Sequence, residues 1–247
     1  MRLHLEIAYH GESFNGWQSQ ACGNTVQDHL EKALASLCGE RVVVHGAGRT
    51  DAGVHAEGQS AHADVPGERL TVREWLPALN AYLPATIRVM SLKEVATDFH
   101  ARFSAQGKIY RYTVWNGHAM PPLLRDRAWH VPGELDLERL RAACALFCGE
   151  HDFAAYSAGR AKAQGTTVRT IRAIHSECTG GKMRLTFEGG GFLYKMVRLL
   201  SAAVIRHAAG KVELPELAER LEKATPRFLH TAPACGLCLV RVTYGAA

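Results

Sequence analysis

Lys108-Ile109-Tyr110-Arg111-Tyr112-Thr113-Val114-Trp115-Asn116-Gly117 stands near the middle of the chain, where its plan begins a second time. Tyr110, Tyr112 and Val114 share one face of an extended segment, and Asn116-Gly117 is a turn signal, so a strand is expected over 108–115. The chain opens in the same way. Leu3, Leu5, Ile7 and Tyr9 alternate with Arg2, His4, Glu6 and Ala8, the pattern of a half-buried strand over 2–9. A helix follows each strand. Thr25 can cap one with Val26, Leu30, Leu34 and Leu37 at helical spacing, and Leu137, Leu140, Cys144 and Phe147 mark the other. Further strands come next. Val42 to Val44 leads one into a glycine-rich run, and 59–64 reads as another. In the second half, Thr170 to Cys178, the Gly180-Gly181 turn and the alternating Met183, Leu185 and Phe187 make a hairpin. Helices are then expected over Glu74 to Tyr82 and over Phe192 to His207, with Leu193, Met196, Val197, Leu200 and Val204 inward. A short helix surrounds Leu217 and Leu221, and closing strands run over Ile87 to Val95 and Leu237 to Tyr244.

Strand, helix, strands, helix, strand, twice over, predicts an α+β protein. The expected form is two ferredoxin-like α/β halves with mixed, largely antiparallel sheets. The division falls at 1–105 and 106–247, with no low-complexity linker, and an active-site cleft between the halves is expected.

Composition bounds the function. Hydrophobic residues make up 47% and charged residues 21%, which is globular and not disordered. Lys plus Arg is 29 and Asp plus Glu 24; the excess of +5 permits a polyanionic partner without demanding one. Met1-Arg2-Leu3-His4-Leu5-Glu6 has no apolar stretch of the signal type, and the uncharged helical run Leu199 to Ile205 is far too short to span a bilayer. A soluble cytoplasmic protein with no membrane partner is expected. Seven scattered cysteines do not suggest a disulfide framework. Cys235 and Cys238 form one CxxC at the start of a strand, and Cys144 lies on an apolar helical stripe four residues before Cys148; both pairs read as buried small hydrophobes, and no metal is expected.

Chemistry concentrates in Gly46-Ala47-Gly48-Arg49-Thr50-Asp51-Ala52-Gly53-Val54-His55. The glycines allow tight turns and close approach of a ligand. Arg49 and Asp51 are two apart and share a face if the segment is extended. Spacing alone favours a surface turn with a weak ion pair. A catalytic reading has more content. A carboxylate nucleophile must be ionised. A free aspartate, with a pKa of about 3.9, is ionised at neutral pH. Desolvation opposes that, and a neighbouring guanidinium offsets the opposition and fixes the carboxylate's direction. The pair is useful in a desolvated pocket, such as one that takes in a flat base.

This run resembles the signature of the TruA family, the tRNA pseudouridine synthases of the anticodon arm. Other segments match the family in order along nearly the whole chain. They are Gly16-Trp17-Gln18-Ser19-Gln20, Asn80-Ala81-Tyr82-Leu83-Pro84, Asp98-Phe99-His100-Ala101-Arg102-Phe103-Ser104-Ala105, Tyr110-Arg111-Tyr112, Phe192-Leu193-Tyr194-Lys195-Met196-Val197-Arg198, and Ala232-Pro233 with Gly236-Leu237 and Tyr244. The resemblance implies isomerisation of uridine to pseudouridine at positions 38, 39 and 40 in the anticodon stem-loop of tRNA. Asp51 would be the nucleophile on an extruded uridine, opening the base–ribose bond so that the uracil turns and rejoins through C5. Arg49 would pair with Asp51, Tyr110 would stack on the uracil and assist removal of the C5 proton, and Arg198 would complete the pocket. The resemblance also implies tRNA as partner, a homodimer, and no cofactor, metal or small molecule, because the reaction is an isomerisation.

The residues read by themselves leave other assignments open. Tyr110 could be plain core, Arg198 an ordinary helix-surface arginine, and Trp17 either core or contact. His55 and His100 read as structural hydrogen-bonders. Residues 153–176 hold no Asp or Glu but carry Arg160, Lys162, Arg169 and Arg172, a strip that suits a phosphate backbone or is simply a solvated basic loop. Arg102 and Lys195 add to the expected substrate-binding charge. His10, Lys195 and Leu199 depart from the family's usual Asp, His and Asn, which bears on substrate choice and not on the reaction. Two rivals remain at this level: a non-catalytic RNA-binding module in which Asp51 is a turn residue, and a nucleoside hydrolase-like enzyme that would release free base.

Overall fold

The computed structural model describes residues 1–21, 23–67, 70–159 and 165–245. The protein is α+β, with five α-helices among the described residues. It forms two compact units, Met1–Gln106 with Cys238–Ala247, and Gly107–Leu237. No helix is long and apolar enough to cross a membrane among the described residues.

In the first unit, β1 (Arg2–Tyr9) is central, and Leu3, Leu5 and Ile7 on its inner face are fully buried. It pairs antiparallel with β3 (His55–Asp64) on one side and β4 (Ile87–Val95) on the other. β2 (Val44–Gly46) pairs antiparallel with β3, so β1 and β2 flank β3 and are connected through α1 (Val26–Cys38). Thr25 caps α1: its hydroxyl accepts from the Asp28 amide, and the Asp28 carboxylate accepts from the Thr25 amide. Gly39, at φ 76°, ends the helix, its amide donating to Ala35 O at 2.8 Å. Leu30 and Leu34 of α1 and Trp75 and Leu79 of α2 (Val72–Tyr82) supply the apolar layer over the strands.

The second unit holds β5 (Ala105–Trp115), β7 (Gly149–Asp152), β8 (Val168–Thr179) and β9 (Lys182–Gly189), hydrogen-bonded in the antiparallel order β5-β9-β8-β7. β6 (Trp129–His130) runs parallel to the end of β5. Register places Tyr110 opposite Phe187, Tyr112 opposite Leu185 and Val114 opposite Met183, so the apolar faces read from the two strands meet and are buried. α3 (Leu137–Leu146), α4 (Met196–Ala208) and α5 (Leu214–Lys223) belong to this unit, and Leu193, Met196, Val197, Leu200 and Val204 are buried.

Three features differ from the sequence-based expectations. α4 starts at Met196 and not at Phe192, because Lys195 takes a left-handed backbone, φ 58°, and Tyr194 and Lys195 form a turn closed by the Met196 amide donating to Leu193 O at 3.0 Å. The polar Gly149–Asp152 and the two-residue Trp129–His130 have no readable alternation and become strands through their neighbours. The closing strand β10 (Leu237–Tyr244) was placed with the second half, but from Cys238 onward it groups with the first unit. There Cys238 and Leu239 run parallel to His55 and Ala56 of β3.

Candidate active site

β2 delivers the chain to the glycine-framed turn. Gly46 lies against Trp17, whose indole nitrogen would be 2.4 Å from a Cβ at this position, so no side chain fits there. Trp17 itself is 2% exposed and is core. Two bonds tie the entry to β3: the Ala47 amide donates to Ser60 O at 2.7 Å, and the Gln59 side-chain amide donates to Gly48 O at 2.8 Å.

Within the turn, Arg49 is exposed, Thr50 buried and Asp51 half-buried. Thr50 is held twice. Its hydroxyl meets the Tyr9 hydroxyl at 2.8 Å, and its carbonyl accepts from the Trp17 amide at 3.1 Å. The Asp51 carbonyl accepts from the Val54 amide at 3.1 Å, closing a turn in which Gly53 takes φ 79°. Gly16, at φ 89°, passes so close that a Cβ there would lie 2.6 Å from Thr50 O. The backbone on both sides of Asp51 is therefore fixed before any ligand arrives. Tyr9, Gly16 and Thr50 lie in stretches legible in the sequence, which gives none of the three a role of its own. The Tyr9 hydroxyl lies on the inward face of an ordinary strand, and only the fold shows what it touches.

His55 is buried, and its Nδ1 accepts from the Gly11 amide at 3.1 Å. The His100 Nδ1 accepts from the Arg102 amide at 3.1 Å, which suits the reading of both rings as structural hydrogen-bonders. His62 was not anticipated. Its ring stacks on His45 with centroids 5.0 Å apart and lies 4.6 Å from His100, and its Nδ1 accepts from the Ala101 amide at 3.1 Å. Burial, helped by the charges of His100, His45 and Arg2 and opposed by Asp64, lowers the His62 pKa to about 4. With both Nδ1 lone pairs given to backbone amides, the neutral rings of His62 and His100 carry their proton on Nε2, an unsuitable state for a shared metal ion. Arg102 is exposed, with its guanidinium 5.6 Å from the Phe103 ring centroid.

In the second unit, Tyr110 on β5 is buried, its ring edge-on to Phe192 at 5.2 Å. The neighbouring Tyr112 hydroxyl donates to Pro233 O at 2.8 Å, and burial pushes its pKa well above the ordinary value. Arg198 is half-buried in the first turn of α4; its Nε donates to Ala232 O at 2.8 Å, and the Ala232 amide donates back to Arg198 O at 3.2 Å. Lys195, just before α4, places its ammonium 5.2 Å from the Tyr194 ring centroid. The Arg169 guanidinium donates to Thr166 O and Val168 O. Arg160 and Lys162 lie outside the described residues. Burial pushes the Cys144 pKa up to about 12, as expected of a small buried side chain, whereas Cys148, Cys235 and Cys238 are only half-buried, with the Cys235 thiol 3.7 Å from Ala128 O.

Comparison with known proteins bears on this arrangement. The model of a family described as tRNA pseudouridine synthase matches residues 7–104 and 143–245. A protein named tRNA pseudouridine synthase A from Akkermansia muciniphila is 44% identical over 98% of this chain and 95% of its own length. One of the same name from Solidesulfovibrio magneticus is 46% identical over 99% and 92%, and one from Bacillus licheniformis is 40% identical over 99% of each chain. With the family match spanning both halves and such identity along almost the full length, the chain belongs to the tRNA pseudouridine synthases, a family of isomerases.

Proposed function

We propose that this isomerase converts uridines 38, 39 and 40 in the anticodon stem-loop of tRNA to pseudouridine, with Asp51 as the nucleophile. The observation that carries the reading is the clamped turn. Asp51 is the half-buried carboxylate of a backbone held by Thr50, Gly16, Trp17 and Val54, and such preorganisation favours attack on a bound carbon. The Asp51 carboxylate attacks the target nucleotide, at the sugar or the base, and the N1–C1′ bond opens. The uracil turns, C5 bonds to C1′, the bond to Asp51 breaks and returns the free carboxylate, and the C5 proton leaves while N1 gains one. Atoms balance without oxidant, donor or cofactor.

Tyr110 stacks on the uracil and assists removal of the C5 proton. Arg49 holds the nucleotide in its extruded state, and Arg198 supplies positive charge to the pocket. Arg102, Arg160, Lys162, Arg169 and Lys195 contact the RNA. Extrusion costs a few kcal/mol and least where a base is unpaired or at a stem end, which suits the junction of anticodon stem and loop. We read the working form as a cytoplasmic homodimer.

The test is incubation with an unmodified tRNA transcript, then carbodiimide-dependent primer extension. New stops at 38–40 are expected, with no free uracil. Absence of stops in the anticodon arm refutes the assignment, and release of free base points to a hydrolase. Asp51→Asn should bind tRNA without turnover.

A further inference from the structure

We propose that the buried hydroxyl pair of Tyr9 and Thr50 is the positioning device for the Asp51 carboxylate, an inference that rests on the reading of Asp51 as nucleophile. Tyr9 ends β1, and its backbone is registered against Ala56 on one side and Ile87 on the other. The side chain is 5% exposed, and its ring lies 6.2 Å from that of Trp17. Thr50 is 7% exposed, and the two hydroxyls meet at 2.8 Å. The first unit's central strand is thus tied through one directional bond to the residue immediately before Asp51.

The bond has a job that packing cannot do. The Thr50 carbonyl is held by the Trp17 amide and the Asp51 carbonyl by the Val54 amide. These hold the two peptides that flank Asp51. The Tyr9 hydroxyl adds a directional constraint on Thr50 from the side-chain side. The direction in which the Asp51 Cβ leaves the backbone is then set. Phe and Val would fill the same space, but an apolar contact has no preferred direction, whereas a hydrogen bond weakens steeply off axis. Neither residue touches substrate in this proposal; both act through Asp51.

The experiment compares Tyr9→Phe, Thr50→Val, Thr50→Ser, the Tyr9→Phe/Thr50→Val double variant and Asp51→Asn on a tRNA transcript. Tyr9→Phe and Thr50→Val should each lower kcat about 10- to 100-fold, as expected for a slightly misdirected reacting group. The tRNA dissociation constant and KM should stay at the wild-type values. The double variant should lose no more than the worse single variant, because the same bond is gone. Its Tm should stay within about 3 °C of wild type, because both polar groups leave the interior together. Thr50→Ser keeps the hydroxyl and should retain most of the wild-type kcat. A double variant with wild-type kcat beside an inactive Asp51→Asn overturns the inference and leaves the proposed reaction standing. A kcat loss that follows Tm and is equally large in Thr50→Ser overturns it too. Turnover by Asp51→Asn overturns the reading of the nucleophile itself.

Discussion

Gly16→Ala tests the clamp on Asp51 from the backbone side. A Cβ at residue 16 would meet Thr50 O at 2.6 Å, Ala52 N at 3.1 Å and the Asp51 carbonyl carbon at 3.1 Å. The first contact falls 0.8 Å short of the 3.4 Å at which ordinary contact begins, and all three atoms are backbone, so no side chain can swing away. Residue 16 cannot retreat freely either. Its carbonyl accepts the Val26 amide at the start of α1 at 3.1 Å, and Trp17 beside it is buried and bonded to Thr50. At φ +89°, alanine adds about 1–2 kcal/mol of backbone strain, and the overlap adds about 1–3 kcal/mol. Part of the overlap will be relieved by moving the Asp51 peptide by several tenths of an ångström, which should cost about 10- to 100-fold in rate. The assay is the single-turnover release of tritium from a tRNA transcript labelled at uridine C5, beside tRNA binding and thermal unfolding. Gly23→Ala is the control: its φ is +69°, but a Cβ there meets nothing within 4 Å. It should lose about 1–2 kcal/mol of stability and no rate. A Gly16→Ala enzyme that folds and releases tritium at the wild-type rate refutes the reasoning, as does an equal loss in Gly23→Ala.

His62 should make stability depend on pH. Its pKa in the folded protein is lowered to about 4 from the ordinary 6.5, so between these values the unfolded chain binds a proton that the native protein does not. The contribution is complete above about pH 6.5 and is lost as pH falls toward 4, on the order of 1–3 kcal/mol in all. Urea unfolding of wild type and His62→Asn from pH 7.5 to 4.5 checks this, since the variant keeps an acceptor for the Ala101 amide but should show a shallower slope; equal slopes would count against it. Gly236→Ala would set a Cβ 2.6 Å from Tyr112 Cζ and 2.9 Å from Thr113 O. A loss of about 2–3 kcal/mol, or roughly 5–10 °C in Tm, should appear in calorimetry, and an unchanged Tm would show that the second unit yields there at no cost. Binding of tRNA should fall steeply with salt, and Arg102→Ala should reduce the log–log slope by about 1; an unchanged slope removes Arg102 from contact with phosphate.

Much of the fold was legible because alternation and helical spacing are local. Leu3, Leu5 and Ile7 announce β1, Thr25 ahead of Val26, Leu30 and Leu34 announces the start of α1, and Met183, Leu185 and Phe187 announce the hairpin that buries them. Boundaries set by one backbone conformation were not legible. Lys195 at φ 58° delays α4, although Leu193 is still buried as its spacing predicts. Strands with no pattern of their own, such as Gly149–Asp152, exist because β8 offers them a partner.

Taken alone, the sequence determined the α+β class, the order of its elements and, through motifs spread along nearly its whole length, membership of the tRNA pseudouridine synthases. It also marked Asp51 as the carboxylate to consider. Only the tertiary structure decided what holds that carboxylate, because Tyr9, Gly16 and Thr50 are separated by as many as 41 residues and meet through the pairing of β1 with β3 and the closure of Gly16-Trp17 on the turn. It also decided that Cys238 and Leu239 run beside His55 and Ala56, since backbone amides and carbonyls pair alike whatever side chains they carry, and the partner of a strand is settled by what the rest of the fold places next to it.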